Sequence, residues 1–316
     1  MLNKIFFLFP AQGAQYPGMA IDLLETGKEV KPLFKLASDI NGKDMKELLT
    51  NSDAETLKRT DIAQPAITLA NLAAIYYLEE KGIKPMAAAG FSLGEYAALA
   101  VAGVISIEDC LSLINMRGKA MQAAIDKIAA NSDAPGMAAV IGLAPEQVEA
   151  LIAEWQKDGL NELYAANINS PKQLVVSGSA AALEAAEARF KEAGAKRFMR
   201  LQVAGPYHSP FMKEAADAFA PELEKVKFSD PVIPVFSNVS GKKITSGEEA
   251  KTLALRQITE SVRWTEEEKA IAELQPDSLL EAGPGKVLQG LWKDSGSEIP
   301  CLPAGSVESI NELSNK

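Results

Sequence analysis

Ser92 sits in the run Gly90-Phe91-Ser92-Leu93-Gly94. An apolar stretch, Met86 to Ala89, precedes it, and a strong helix former, Glu95 to Ala100, follows. Strand, sharp G-x-S-x-G turn and helix together are the pattern of a nucleophile elbow. The tight turn lifts the hydroxyl above the sheet edge. Flanking glycines let strand and helix approach without Cβ clashes. The helix start behind the serine offers free N–H groups to an oxyanion. A serine nucleophile needs a base, and the chain contains one histidine, His208. It lies in Val203-Ala204-Gly205-Pro206-Tyr207-His208-Ser209-Pro210, which closes a strand and enters a loop before a helix beginning near Phe211. Loops at strand ends are where a scaffold presents chemistry.

Three further places are open to two readings each. Arg117, between Met116 and Gly118, is either a surface residue snorkelling its stem or a buried cation waiting for an anion; periodicity alone favours the surface. The loop Pro10 to Gly18 is either a plain turn or a ligand loop at the carboxyl end of a buried strand. Asn167, Asn169 and Ser170-Pro171 fit turn chemistry equally well.

The elements that must position these residues follow from patterning. Ile5 to Phe9 reads as a buried strand. Leu33 to Ile40 and Met45 to Leu49 read as short helices. Asp61 can cap a long helix ending before Gly82. Ser106 can cap the helix that carries Arg117. Asn131 to Gly136 is a linker by composition. Beyond it the rhythm changes: strand 137–143, helix 145–157, strands 163–168 and 174–177, helix 180–193, strand 198–203. That is the ferredoxin-like order, β-α-β-β-α-β. Phe211 to Lys225 reads as helix, Val232 to Phe236 as a short strand, Leu253 to Ile258 as helix, and Ser278 to Glu281 as strand, with a helix from Val287. The expected fold class is α/β: a large α/β-hydrolase-like domain with a mostly parallel sheet (1–130 and 204–316), interrupted by a ferredoxin-like small domain (131–203).

A chain of 316 residues, 47% hydrophobic and 23% charged, is long enough for a large core with one insertion and ordinary for a soluble enzyme. A formal charge of −10 without a dense basic tract excludes nucleic acid and disfavours an anionic membrane. Cys110 and Cys301 are far apart and match no metal spacing; both read as buried thiols. The apolar run after Lys4 is too short for a signal peptide, and no run reaches transmembrane length. The expected location is the cytoplasm.

With these pieces in order, the chain resembles the malonyl-CoA:acyl-carrier-protein transacylases of fatty acid synthesis and the acyltransferase domains of polyketide synthases. The resemblance spans residues 5 to 305. It is carried by Phe9-Pro10-Ala11-Gln12-Gly13, Gln64-Pro65-Ala66, Gly90 to Glu95, Arg117-Gly118, Asn167-Ile168-Asn169-Ser170-Pro171, Tyr207-His208-Ser209 and Glu281 to Leu288. It implies that Ser92 is acylated and that His208 is its base and later acid. It implies an oxyanion hole from the backbone N–H groups of Gln12 and Leu93, a carboxylate grip by Arg117, and orientation of His208 by the backbone carbonyl of Gln257. Asn167, Tyr207 and Phe91 would line the acyl pocket, with Tyr207 favouring unbranched malonyl units. The implied partners are malonyl-CoA and an acidic acyl carrier protein, with no metal or redox cofactor, and the chain is expected to be a monomer. Lys196, Arg197, Arg200, Lys286 and Lys293 are candidate carrier-docking residues, or else solvated surface charges.

Three residues at two places depart from the family pattern. Phe91 stands where a histidine is usual, and Ala11 and Ala14 replace Gly and Ser. Ala11 would be strained if its φ were positive; a φ that alanine tolerates is expected. One rival class is a serine hydrolase or thioesterase of α/β type, which runs Ser, acid, His. Asp126, Asp133 and Asp158 lie between Ser92 and His208, but none ends an obvious large-domain strand, which favours the transferase. The other rival, a carrier-docking subunit without activity, would not need Ser92, His208 and Arg117 together.

Overall fold

The computed structural model describes residues 4–130, 134–203 and 205–314. Asn131, Ser132 and Asp133 of the expected linker, and Ala204 before the histidine loop, lie outside the described residues. In chain order the first elements are β1 (Ile5–Phe9), α1 (Ile21–Thr26), α2 (Val30–Asn41), α3 (Met45–Asn51), α4 (Thr60–Glu80), β2 (Ala87–Gly90), α5 (Gly94–Val101) and α6 (Ile107–Ala129). Then come β3 (Gly136–Ile141), α7 (Pro145–Lys157), β4 (Leu163–Ser170), β5 (Gln173–Gly178), α8 (Ala180–Glu192) and β6 (Arg197–Arg200). The chain closes with α9 (Lys213–Glu224), α10 (Gly247–Arg256), α11 (Trp264–Glu273), β7 (Ser278–Glu281), α12 (Val287–Asp294), β8 (Cys301–Pro303) and α13 (Val307–Ser314).

The fold is α/β, with a parallel sheet and a separate antiparallel one. The parallel sheet has the order β2-β1-β7-β8. Every residue of β1 is buried, as a continuous apolar run in a sheet covered on both faces must be. Pairing of Phe9 with Gly90 and of Leu8 with Glu281 brings the carboxyl ends of β1, β2 and β7 together. The loops that leave those ends carry Gln12, Ser92 and the Gly283-Pro284-Gly285 turn. The antiparallel sheet has the order β4-β5-β3-β6 and closes its own apolar core with α7 and α8, built on Val140, Ile152, Leu174, Val176, Leu183 and Phe190.

Several elements differ from the sequence reading. Val232 to Phe236 is not a strand; Val235 and Phe236 make only isolated bridges, to Ala88 and to Lys243. Pro231 precedes the segment and Pro234 lies within it, and neither has an N–H to give a ladder. Asp61 does not cap α4: Arg59 stands at the cap, and Asp61 accepts both hydrogen bonds from the Arg59 side chain, at 3.1 Å each. Ser106 does cap α6, accepting from the Asp109 N–H at 3.0 Å. The last strand of the antiparallel sheet stops at Arg200, short of Val203. Short or polar-faced elements (α1, α11, β8 and α13) escaped the patterning. Both cysteines are free thiols; Cys110 is buried and Cys301 half-buried.

Candidate active site

The elbow is as tight as its glycines require. A Cβ on Gly94 would sit 2.1 Å from the carbonyl oxygen of Phe9, and one on Gly90 would sit 2.1 Å from the backbone of Gly94. Ser92 between them has φ 48°, in the left-handed region that β-carbons disfavour. Its Oγ lies 2.9 Å from His208 Nε2. His208 Nδ1 lies 2.8 Å from the carbonyl oxygen of Gln257. A carbonyl can only accept, so Nδ1 carries the proton and Nε2 is left to accept from the serine hydroxyl. His208 also has a left-handed backbone, φ 54°, and is buried. Burial, and then the nearby Arg117 charge, push its pKa down to about 4. The ring is therefore a neutral acceptor at physiological pH, and among the described residues no carboxylate hydrogen-bonds to it.

Behind the serine lies a buried polar network. Asn238 Oδ1 accepts from the Ser92 N–H at 2.6 Å, and its Nδ2 donates to the Gly90 carbonyl at 2.8 Å and to Glu267 at 2.7 Å. The Asn238 N–H donates to Glu95 at 2.8 Å. Gln257 Nε2 faces the Ser92 carbonyl, Glu95 and Asn238 Oδ1 at 3.0, 2.9 and 3.1 Å. Burial raises the Glu95 carboxyl to about 7 and holds Glu267 well above the usual range.

Arg117 is buried, not snorkelling, at 1% exposure. Its NH1 donates to Gln64 Oε1 at 2.8 Å and its NH2 to Gln257 Oε1 at 3.1 Å. The guanidinium also stands 5.7 Å from the Tyr96 ring centre. Periodicity missed this because α6 buries polar groups as well as apolar ones, Asn115 and Gln122 among them.

The backbone N–H groups of Gln12 and Leu93 belong to adjoining segments, since the Phe91 N–H donates to the Phe9 carbonyl at 3.0 Å. Among the described residues neither N–H has a protein acceptor. Ala11 has no positive φ; the positive-φ positions of that loop are Gly13, at 105°, and Gly18, at 83°. Tyr207 is buried, with its hydroxyl on Thr60 Oγ1 and its carbonyl accepting from Ser177 at 2.7 Å. Phe91 is half-buried and sets its ring edge-on to Trp264, centres 5.5 Å apart. Asn167 is buried on β4 and bridges Val262, without a hydrogen bond to Ser92, His208 or Arg117 among the described residues. A cleft of 330 Å³ opens beside His208, lined by Tyr164, Val239, Glu260, Ser261 and Arg263.

A family model for the acyl transferase domain matches residues 6–311. The chain belongs to the acyl transferase domain family. It is 39% identical over 314 residues to the malonyl CoA-acyl carrier protein transacylase of Haemophilus influenzae, covering 99% of this chain and 98% of that one. Identity to the Bacillus subtilis protein of the same name is 36%, over 98% of this chain and 96% of that one. Among solved structures, the MCAT of Streptococcus pneumoniae superposes with a TM-score of 0.92 at 33% identity, covering 99% of each chain. A complex of a malonyl-transacylase with a type II PKS acyl-carrier protein gives 0.90 at 36% identity, over 99% of this chain and 100% of that one.

The acyl transferase chain thus brings Ser92, His208, Gln257 and Arg117 into one hydrogen-bonded network. The candidate docking residues lie elsewhere. Lys196, Arg197 and Arg200 are exposed on and beside β6, and Lys286 and Lys293 are exposed at the two ends of α12. Sequence reasoning assigned no role to Asn238, Glu95, Glu267 or Gln64. Glu95 reads as a helix former, and Asn238 lies just past the segment that reads as a strand. Gln64 was visible only as part of a motif.

Proposed function

We propose that this acyl transferase moves a malonyl group from malonyl-CoA to the phosphopantetheine thiol of an acyl carrier protein, through an ester on Ser92, and so supplies fatty acid synthesis. The observation that carries the reading is the contact chain Ser92 Oγ–His208 Nε2–Gln257 carbonyl, at 2.9 and 2.8 Å, with the buried Arg117 joined to the same Gln257. His208 Nε2 takes the hydroxyl proton while Oγ attacks the thioester carbonyl. The oxyanion lies between the N–H groups of Gln12 and Leu93. The C–S bond breaks and the CoA sulfur leaves with the proton from His208. The carrier thiol then gives its proton to His208, attacks the Ser92 ester, and Oγ recovers the proton. The bookkeeping closes on His208 alone, so the steps call for no metal or redox cofactor.

Arg117 binds the free carboxylate of the malonyl group, and Tyr207, Phe91 and Asn167 bound its acyl pocket. We read 131–203 as a ferredoxin-like unit inserted in a catalytic domain of 1–130 and 204–316; the strand order and the separate core support this. No helix among the described residues is long and apolar enough to cross a membrane.

The test is intact-protein mass after brief mixing with malonyl-CoA, beside acetyl-CoA and a Ser92→Ala control. A malonyl adduct on the wild type alone, discharged by carrier protein, is the expected result. CoA release into water without an adduct would replace the transferase with a thioesterase.

A further inference from the structure

The steps above leave Gln64 without a task, although it is fully buried. It stands one turn into α4, and that turn packs directly on α6: a Cβ on Gly118 would lie 3.0 Å from the Thr60 carbonyl and 3.5 Å from Gln64 Cβ. The close approach sets the Gln64 amide against the guanidinium of Arg117. Gln64 Oε1 accepts from NH1 at 2.8 Å, while its Nε2 donates to Met121 Sδ at 3.2 Å. The second acceptor, Gln257 Oε1, is also a neutral amide. The nearby carboxylate, Glu95, has its Oε2 bound by Gln257 Nε2 and the Asn238 N–H. Among the described residues Arg117 has no ion-pair partner, and its Nε has no hydrogen-bond partner. A buried cation held in this way is oriented but not neutralised, which is unfavourable until an anion arrives.

We infer that Gln64 is a positioning residue that sets the preference for acyl groups carrying a free carboxylate, by fixing Arg117 with a neutral oxygen where a carboxylate would spend its charge. The inference rests on the reading of Arg117 as the carboxylate grip. Gln64→Glu has the same shape but supplies that carboxylate. The substrate anion would then meet a neutral pair and a like charge.

The experiment measures acylation rates of Ser92 from malonyl-CoA and acetyl-CoA in the full chain, for wild type, Gln64→Glu, Gln64→Met and Arg117→Ala. In Gln64→Glu the malonyl rate falls by roughly 10²-fold, as for other disrupted buried charge contacts, while the acetyl rate falls far less. The malonyl-to-acetyl ratio therefore collapses. Gln64→Met keeps the charge and loses one acceptor, so its malonyl rate falls about tenfold and its ratio stays above that of Gln64→Glu. A ratio kept in Gln64→Glu but lost in Arg117→Ala overturns the role of Gln64 alone. A ratio kept in Arg117→Ala overturns the grip beneath it. If circular dichroism shows that Gln64→Glu does not fold, Gln64→Met decides: a loss confined to malonyl supports the inference, and equal losses for both donors sink it.

Discussion

The two ends of the active-site network are built differently. At the nucleophile end, Ser92 and His208 sit on turns with left-handed backbones, φ 48° and 54°. At the guanidinium end, Arg117 and Gln64 sit within long helices, α6 and α4, and neither has a left-handed φ. A left-handed φ disfavours each turn residue by about 1–2 kcal/mol, and it persists only where surrounding contacts determine it. On the proposed mechanism the reacting atoms are thus placed by strain that other groups must hold, and the recognising atom by helices. Gln257 joins the two: its side chain reaches Arg117 and the Ser92 carbonyl, and its backbone carbonyl holds His208.

If strain is what places the serine, the group that restrains the elbow should matter most. That group is Asn238, whose amide bonds the Ser92 N–H on one side of Phe91 and the Gly90 carbonyl on the other. Asn238→Asp keeps the shape but turns the donor facing Gly90 and Glu267 into an acceptor, beside two buried carboxyls. We expect the Ser92 acylation rate to fall by about 10²–10³, the scale of a lost oxyanion donor, since a relaxed Ser92 also misplaces the Leu93 N–H. Binding of malonyl-CoA to a Ser92→Ala background should change much less, because Arg117 is held from the other end. Comparable losses in binding and rate would show that the ends are not separable.

The contrast also explains what was legible in the sequence. Glycine spacing marks the tight turn, and a lone histidine stands out through its count, so the pairing of Ser92 with His208 could be read directly. So could β1, β7 and the alternation of the antiparallel sheet. Residues held within helices could not. Arg117 and Gln64 face each other across a helix contact that no local period encodes. Glu267 lies in the polar-looking run Trp264-Thr265-Glu266-Glu267-Glu268-Lys269, yet it is fully buried against Asn238. Asn238 itself follows a proline-containing segment that reads as a strand and forms only two isolated bridges.

A second prediction concerns how the ends communicate. In the proposed mechanism His208 must be neutral to accept the serine proton, and its pKa is pushed down to about 4, by burial first and Arg117 second. The acylation rate should be level from pH 7 to pH 5 and then drop about tenfold per unit below pH 4. Folding runs in the same direction: a histidine buried neutral loses stability as pH falls from its ordinary range towards 4, so the rates are taken in brief pH jumps. Arg117→Ala should move the acid limb upwards, but only part of the way, because burial remains. A limb in the ordinary histidine range in the wild type would contradict the buried geometry. Any step near pH 7 that vanishes in Glu95→Gln belongs to Glu95, whose carboxyl is raised to about 7.

The smallest expected effect lies outside the network. With a formal charge of −10, the chain as a whole repels an acidic carrier, so attraction has to be local. Lys196 and Arg197, exposed at β6 of the antiparallel sheet, form one candidate patch, and Lys286 and Lys293 at α12 form another. Such rim charges steer encounter more than they hold the complex, and salt screens them. Reversing Lys196 and Arg197 to glutamate should raise the KM for carrier protein by roughly two- to fivefold at low salt, in line with about 0.5–1 kcal/mol for exposed charge pairs. The difference should shrink at high salt, and the KM for malonyl-CoA should not move. The same reversal at Lys286 and Lys293 is the control that gives the result its meaning. If only that pair raises the carrier KM, the thiol approaches from the parallel sheet that bears Ser92, and the antiparallel sheet takes no part in docking. If only the β6 pair does, the two sheets divide the work between presenting the carrier and performing the chemistry.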